Sequence, residues 1–295
     1  MDIEKIKKQK TIPELLEFSI ININKPSGPT SFNVSDFIRK TLNETGIKVG
    51  KTSHFGTLDP KVTGVLPVAL SRACKLTGFF LNKDKEYVGI MRIHEDLKKE
   101  DIEKVIKKEF LGRILQTPPK KSRVKRQQRE REVKDFRLLE QEGRNILFIA
   151  EVQAGTYIRK LISDLGEKMK VGMHMLELRR IRAGIFLEEN SVDLYEFVKA
   201  VEEFKKGDEK SFRRILIPGE IISEIYPVAE IKSENLKKIF TGKPIMKEDL
   251  LKDYDYEKGE IICIFFKEEF IGMYEASDSK EIFAKPKFVL QPLKK

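Results

Sequence analysis

The segment SHFGTLDPKVTGVLP (53–67) constrains the fold of this chain more than any other. Gly56 and Gly64 bracket it, Pro60 and Pro67 interrupt it, and neither helical nor strand periodicity runs through it, so 48–67 reads as a loop-rich stretch. A connection of that length inside an ordered chain is a usual carrier of function. It holds a single acid, Asp59, the only carboxylate between Glu44 and Asp84. An Asp-Pro pair opens turns, and that alone accounts for Asp59. A lone carboxylate with His54 and Lys61 nearby has a second reading, as nucleophile or base.

Regular elements flank this stretch on both sides. FSIININKP (18–26) alternates and ends at a proline, which predicts a strand, after a charged lead-in over 1–17. SGPTS (27–31) places Thr30 or Ser31 before a helix on which Phe32, Val34, Phe37, Ile38 and Leu42 share helical spacing. The pattern predicts a buried helix over 68–81, a strand over 86–93 and an amphipathic helix over 96–110. Strands follow near 132–139 and 146–153, then a helix over 156–169, a strand over 175–186, and helices near 192–206 and 209–215. A second unit begins near Ile222–Val228, with a short helix (233–242), a hairpin turning at the charged KEE within 259–276, and a last strand over 286–292. Short strands over that length suit a small barrel, and the whole is α+β.

Charge indicates the partner. The chain of 295 residues carries 57 basic and 47 acidic residues, a net charge of +10. Seven of the basic residues (Lys120, Lys121, Arg123, Lys125, Arg126, Arg129, Arg131) fall with one acid, Glu130, in a single run of twelve. Ion-pair networks mix their signs, whereas a concentrated run of one sign fits phosphates, so a nucleic acid is the expected partner. The apolar fraction of 40% excludes wholesale disorder. No uncharged apolar run is long enough for a membrane-spanning helix, and MDIEKIKKQK lacks the apolar core of a leader. Two cysteines and three histidines show no metal-ligand spacing, so no metal is expected, and a reducing, cytoplasmic location is.

Three further segments supply candidates around Asp59. In GTYIRK (155–160), Arg159 sits early in a helix, where it serves either as a surface residue or as the guanidinium that keeps a buried Asp59 ionised. Tyr87 in KEYVG is either a half-buried strand aromatic or a platform for a base drawn out of its helix. In LRRIR (178–182), strand alternation puts Arg180 and Arg182 on one face, available to phosphates or to ion pairs.

INKPSGPTS, HFGTLDPKVTGVLPVAL, KEYVG, QTPPKKSRVKRQ, AGTYIRKLISDLG and ELRRIRAG, in this order over 23–184, resemble the TruB/dyskerin family of RNA pseudouridine synthases. EKGEIICIFFKEEFIGMYEA and FAKPKFVLQP more loosely resemble a PUA domain. IPELLEFSIININKP, the PKVTG wording and the compact 116–131 segment resemble the archaeal dyskerin branch. Ser53 and Val65 depart from residues common in the family, a glycine and a cysteine, and the PUA-like segment lacks some usual glycines. The resemblance implies a pseudouridine synthase fold, a mixed and mostly antiparallel sheet with flanking helices, over 18–221. It further implies a small C-terminal PUA β-barrel over 222–295, with 1–17 packed on it.

What the resemblance implies for chemistry is carried residue by residue. Asp59 would attack C1′ of a uridine or deprotonate its sugar. Tyr87 would stack on the flipped base and help remove the C5 proton. Arg159 would pair with Asp59, and Leu178 would pack on the base. His54, Lys120, Lys121, Arg123, Lys125, Arg126, Arg180 and Arg182 would meet RNA, and Lys25 would be either structural or turned to a phosphate of it. No cofactor is implied. The implied partners are an H/ACA guide RNA, substrate rRNA or tRNA, and small H/ACA core proteins of the Nop and Gar types with a kink-turn-binding ribosomal-type protein. The alternatives are a stand-alone synthase for the tRNA T-loop uridine and a non-catalytic RNA-binding scaffold.

Overall fold

Two short helices, each closed at its N-terminus by a polar side chain, open the chain: α1 (Ile3–Gln9) behind Asp2 and α2 (Ile12–Glu17) behind the Thr11–Glu14 capping box. The computed structural model describes residues 1–119 and 125–292. After β1 (Ser19–Lys25) and α3 (Ser31–Asn43) come β2 (Thr52–His54), β3 (Thr63–Leu70), a 3-10 turn (Ser71–Leu76) and α4 (Thr77–Leu81). Then follow β4 (Lys85–Ile93), α5 (Lys99–Glu109), β5 (Gly112–Gln116), β6 (Arg129–Glu142) and β7 (Asn145–Val152). Next are α6 (Ile158–Met169), β8 (Met173–Ala183), β9 (Phe186–Leu187), α7 (Leu194–Lys205), α8 (Lys210–Ile215) and β10 (Ile217–Pro218). The last elements are β11 (Val228–Glu230), α9 (Leu236–Phe240), β12 (Ile245–Met246), β13 (Ile261–Phe266), β14 (Glu269–Ala276) and β15 (Ile282–Val289).

These elements form two units. The larger comprises Ile21–Ala69 and Thr77–Ile215; the smaller comprises Met1–Ile20, Leu70–Leu76 and the chain from Leu216 onward. In the larger unit the strands run in the order β1-β3-β8-β4-β7-β6-β5, with β2 on β3 and β9 on β8. β3 lies parallel to β8, while β4–β8, β4–β7, β6–β7 and β5–β6 are antiparallel. Along β7 every second side chain is buried, the signature of a strand with one covered face. α6, within the helix expected over 156–169, buries Ile158, Leu161, Ile162 and Leu165 at helical spacing. α3 begins at Thr30, whose Oγ1 accepts from the Asn33 amide at 3.0 Å. It buries Val34, Ile38 and Leu42 but leaves Phe32 and Phe37 exposed.

The helix expected over 68–81 begins three residues late: 71–81 are helical, first as the 3-10 turn Ser71–Leu76 and then as α4, while 68–70 complete β3, where almost every side chain is buried on both faces. A fully buried strand shows no alternation, so its apolar run looks like a buried helix in sequence.

In the smaller unit a five-stranded sheet runs β11-β13-β14-β15-β12 around a core that includes Ile231, Ile239, Ile262, Ile264, Ile271 and Tyr274. β13 and β14 turn at Lys267–Glu268, with Lys267 in the left-handed region at φ 55°. The opening helices belong to this unit. Lys5 Nζ meets Glu268 Oε1 at 2.5 Å, Lys10 Nζ meets Glu220 Oε1 at 2.5 Å, and Phe18 stacks on Phe270 at 5.4 Å between centroids. Among the described residues no helix is long and apolar enough to cross a membrane.

Candidate active site

The loop that carries Asp59 is held on both sides of that residue. Before it, Ser31 Oγ accepts from the Leu58 amide at 2.8 Å and donates to the Leu58 carbonyl at 2.9 Å. After it, the Lys25 ammonium donates to the carbonyls of Pro60 and Val62 at 3.0 and 2.9 Å and to that of Pro26 at 2.8 Å. Three carbonyls fill the three donor positions of one ammonium, which is what allows a lysine with 0% exposure to remain inside the fold. Burial lowers the Lys25 pKa from its ordinary value. Further along, Gly64 (φ +98°) lies so close to Arg180 that a Cβ there would fall 2.1 Å from the Arg180 carbonyl oxygen. Neither a larger residue nor a different backbone fits where β3 meets β8.

Asp59 itself points outward and forms an ion pair with Arg159 Nη2. Their side chains are 52% and 59% exposed. The expectation of a buried carboxylate is therefore corrected: Leu58 and Val62 are buried and the backbone on either side of Asp59 is clamped by hydrogen bonds, while the carboxylate faces solvent beside its guanidinium. Arg159 stands on the first turn of α6.

β4 and β8 form the wall beside this loop. Tyr87 stands opposite Arg180 and Gly89 opposite Leu178 in the antiparallel register, so Tyr87, Leu178 and Arg180 share one face. Arg180 marks which face it is. It is 1% exposed and reaches the loop, donating through Nε to Val65 O at 2.7 Å and through Nη2 to Gly56 O at 3.0 Å. Tyr87 is partly exposed and Leu178 nearly buried on that face. Gly89 leaves them room, since a Cβ there would fall 3.0 Å from Leu178 Cδ1 and 2.7 Å from Phe148 Cζ.

Two sequence expectations fail on this strand for a physical reason. Arg180 and Arg182 do not share a face. Tyr87 pairs with Arg180 but Glu86 pairs with Arg182, so Ile181 is an extra residue and the alternation slips by one. Arg182 serves the opposite face, with Nε on Glu86 at 3.2 Å and Nη2 on Glu151 at 2.9 Å. Nor does Arg180 present its charge to RNA, because it is buried and donates to loop carbonyls; Lys25, on β1, takes the structural of its two readings for the same reason. Lys85, not singled out in the sequence, is a third buried cation here. Its ammonium donates to Leu81 O at 2.5 Å and also to Lys83 O, and burial followed by the nearby Arg180 charge lowers its pKa to about 8.

His54 Nε2 lies 3.1 Å from Thr57 Oγ1, and its pKa falls below its ordinary value through burial first and Arg180 second. Of the basic segment, Lys125 and Arg126 are exposed. Lys120, Lys121 and Arg123 lie outside the described residues. Among the described residues no group of three or more His, Cys, Asp or Glu comes together as metal ligands. Ser31 reads in the sequence only as a residue before a helix; its role at Leu58 has no local signal, because its partner lies in another element.

Comparison with known proteins bears on this geometry directly. Residues 40–158 match the model of the TruB family pseudouridylate synthase N-terminal domain, and residues 159–223 match that of the tRNA pseudouridylate synthase B C-terminal domain. A protein of Nanoarchaeum equitans named "Probable tRNA pseudouridine synthase B" is 40% identical over 94% of this chain and 78% of its own. Its namesake in Archaeoglobus fulgidus is 39% identical over 93% and 84%. Among solved structures, a chain of a Cbf5-Nop10-Gar1 complex superposes with a TM-score of 0.88 at 36% identity, covering 97% of this chain and 89% of that one. A chain of an archaeal box H/ACA sRNP Nop10-Cbf5 complex gives 0.85 at 34%, covering 97% and 90%.

The mixed sheet, with its aspartate loop held by Arg180 of the strand pair that carries Tyr87 and Leu178, is that of an RNA pseudouridine synthase, an enzyme that isomerises uridine. This chain belongs to the TruB family of those enzymes.

Proposed function

We propose that this enzyme is the catalytic subunit of a guide-RNA-directed box H/ACA particle, with Asp59 as its reacting carboxylate. The observation that carries the first part is the superposition along 97% of the chain, at a TM-score of 0.88, on a protein crystallised with Nop10 and Gar1. A second similar chain, at 0.86 and 35% identity, comes from an H/ACA RNP bound to a substrate RNA containing 2'-deoxyuridine. The partners are then a guide RNA, the small core proteins and a target rRNA or tRNA. The names of the curated relatives favour a second reading, direct action on tRNA. In either case the smaller unit's five-stranded sheet reads as a PUA domain for RNA, with residues 1–17 as its companion and 18–221 as the catalytic domain.

Within the site, Asp59 attacks C1′ of the target uridine or removes a proton from its sugar. The C1′–N1 bond breaks, the uracil turns, and C1′ joins C5; C5 loses a proton and N1 gains one, so the product is an isomer and no electrons are exchanged. Arg159 keeps the carboxylate ionised and oriented, an effect that strengthens once RNA excludes water from the half-exposed pair. Tyr87 stacks on the flipped base and helps remove the C5 proton, while Leu178 packs against the base. The exposed Lys125 and Arg126, with the rest of their segment, grip the RNA backbone.

The deciding experiment compares two substrates for the full chain: a bare tRNA transcript, and a target oligonucleotide with its H/ACA guide and small core proteins. The guide-directed reading expects pseudouridine only, or far faster, in the second mixture. Equal rates in both would give the tRNA reading preference. Unimpaired turnover by Asp59→Ala in both would remove the catalytic assignment and leave a scaffold.

A further inference from the structure

Gln116 closes β5 at the root of the basic segment, opposite Arg129 on β6. Its side chain is 2% exposed. The buried amide does not stay within its own hairpin. Its Oε1 accepts from the Tyr157 amide at 2.7 Å, and its Nε2 donates to the Tyr157 carbonyl at 3.1 Å. Tyr157 is the N-cap of α6, and no side-chain cap hydrogen bond closes that helix. The Tyr157 carbonyl also accepts the first helical bond, from Leu161 N at 2.9 Å. Gln116 thus pins, from another strand, the N–H and C=O of the residue from which the first turn starts; it does not cap the first-turn amides as a Ser or Asp would, but it fixes where that turn begins.

The neighbouring contacts point the same way. Gln153, at the end of β7, donates its amide to Glu132 O at 2.8 Å, and its side-chain oxygen accepts from Glu132 N at 3.3 Å. Gly155 (φ +81°) brings the turn against Arg131, whose Nη2 would lie 3.2 Å from a Cβ at that position. Both stems of the basic segment are therefore cross-linked to the turn that launches α6, and two residues beyond Tyr157 stands Arg159.

We infer that Gln116 is a positioning residue, which fixes the head of α6 so that the Arg159 guanidinium meets the Asp59 carboxylate. The inference rests on the reading of Asp59 and Arg159 as the catalytic pair. The physical reason is that Arg159 is more than half exposed and its described ion pair is with Asp59 itself, so the place where its side chain leaves α6 sets how the guanidinium can meet that carboxylate. Gln116 has no route to the reacting atoms of its own and acts through Arg159.

The test is a double-mutant cycle on the full chain with uridine-5-tritiated RNA, supplied both as a bare tRNA transcript and as a guide-paired oligonucleotide with small core proteins. Single-turnover rates over a range of enzyme concentrations separate the maximal rate from the half-saturating concentration. Gln116→Met, which loses both bonds at similar length, is expected to lower the maximal rate about 10²-fold, the cost typical of a misplacement near 1 Å. The half-saturating concentration should stay within about threefold. In an Arg159→Ala background the same substitution should cost less than about twofold, because the two residues act as one unit. Gln116→Glu, which keeps the bond from the Tyr157 amide, serves where the Met variant melts early, and its smaller loss should vanish in the same background.

A raised half-saturating concentration with an unchanged maximal rate would overturn the inference in favour of an RNA-binding role. Losses that multiply in the double variant would overturn it as well. Arg159→Ala turning over like the unaltered chain would instead bring down the catalytic pair, and with it the ground for Gln116.

Discussion

Arg180 and Arg182 stand two residues apart on β8 and serve opposite faces of the sheet. One is buried against Val65 O and Gly56 O behind the Asp59 loop, and the other bridges Glu86 and Glu151 on the far side. The extra residue between them, Ile181, turns one arginine into part of the site's foundation and leaves the other in a partly exposed ion-pair cluster.

That separation predicts unequal costs. Arg180→Met leaves one buried carbonyl (Val65) and one part-buried carbonyl (Gly56) without their donor and should cost about 2–4 kcal/mol, at roughly 1–3 per unsatisfied group with some relief from water. Arg182→Met breaks partly exposed pairs and should cost about 1 kcal/mol or less. Urea unfolding of the two variants measures the difference; equal costs would mean that the arginines are equivalent.

Lys25 is expected to behave as a loop clamp. Lys25→Met should lower stability by about 1–3 kcal/mol through its three stranded carbonyls and should slow turnover by loosening Asp59. The salt dependence of RNA binding should be unaffected, because a buried ammonium displaces no counterion from RNA. A flatter salt slope in this variant would place Lys25 on the phosphates after all.

Lys125→Ala with Arg126→Ala should do the reverse. Stability should be unchanged, since both side chains are exposed. RNA affinity should fall, and the slope of log K against log salt should flatten by about 0.7 for each single-strand phosphate that the variant no longer neutralises. Filter binding across 50–300 mM salt, on the order of the range where such interactions dominate, reads this out. An unchanged slope would exclude this segment as the RNA grip.

His54 gives a pH signature. Its folded pKa lies below the ordinary 6.5, through burial and Arg180, so the unfolded chain binds more protons than the folded one once pH drops below about 6.5. The stability that depends on a neutral His54 is therefore present above that pH and is lost as pH falls toward the lower folded value. Between about pH 7 and 5 the unaltered chain should lose more stability than His54→Gln. Parallel loss in both proteins would show that His54 titrates alike in the folded and unfolded states.

Much of the molecule is legible from one sequence. The helix over 156–169 and the start of α3 at Thr30 or Ser31 appear in the residues themselves, because helix and cap rules act within a few positions. The KEE hairpin is readable for the same reason. The aspartate loop stands out as a lone carboxylate in a glycine- and proline-broken stretch. The strand over Thr63–Leu70 escapes such reading because burial on both faces erases the alternation that identifies a strand.

The sequence by itself determined the α+β class, the membership of the TruB family and the choice of Asp59 as the candidate carboxylate, since these rest on local pattern and on the order of motifs. Only the tertiary structure decided which cations face outward and which are spent inside. Lys25, Arg180 and Gln116 find their partners on other elements, across a register that one inserted residue can shift. No local period encodes a hydrogen bond between segments so far apart in the chain, because its existence depends on how strands pair and on where water is excluded.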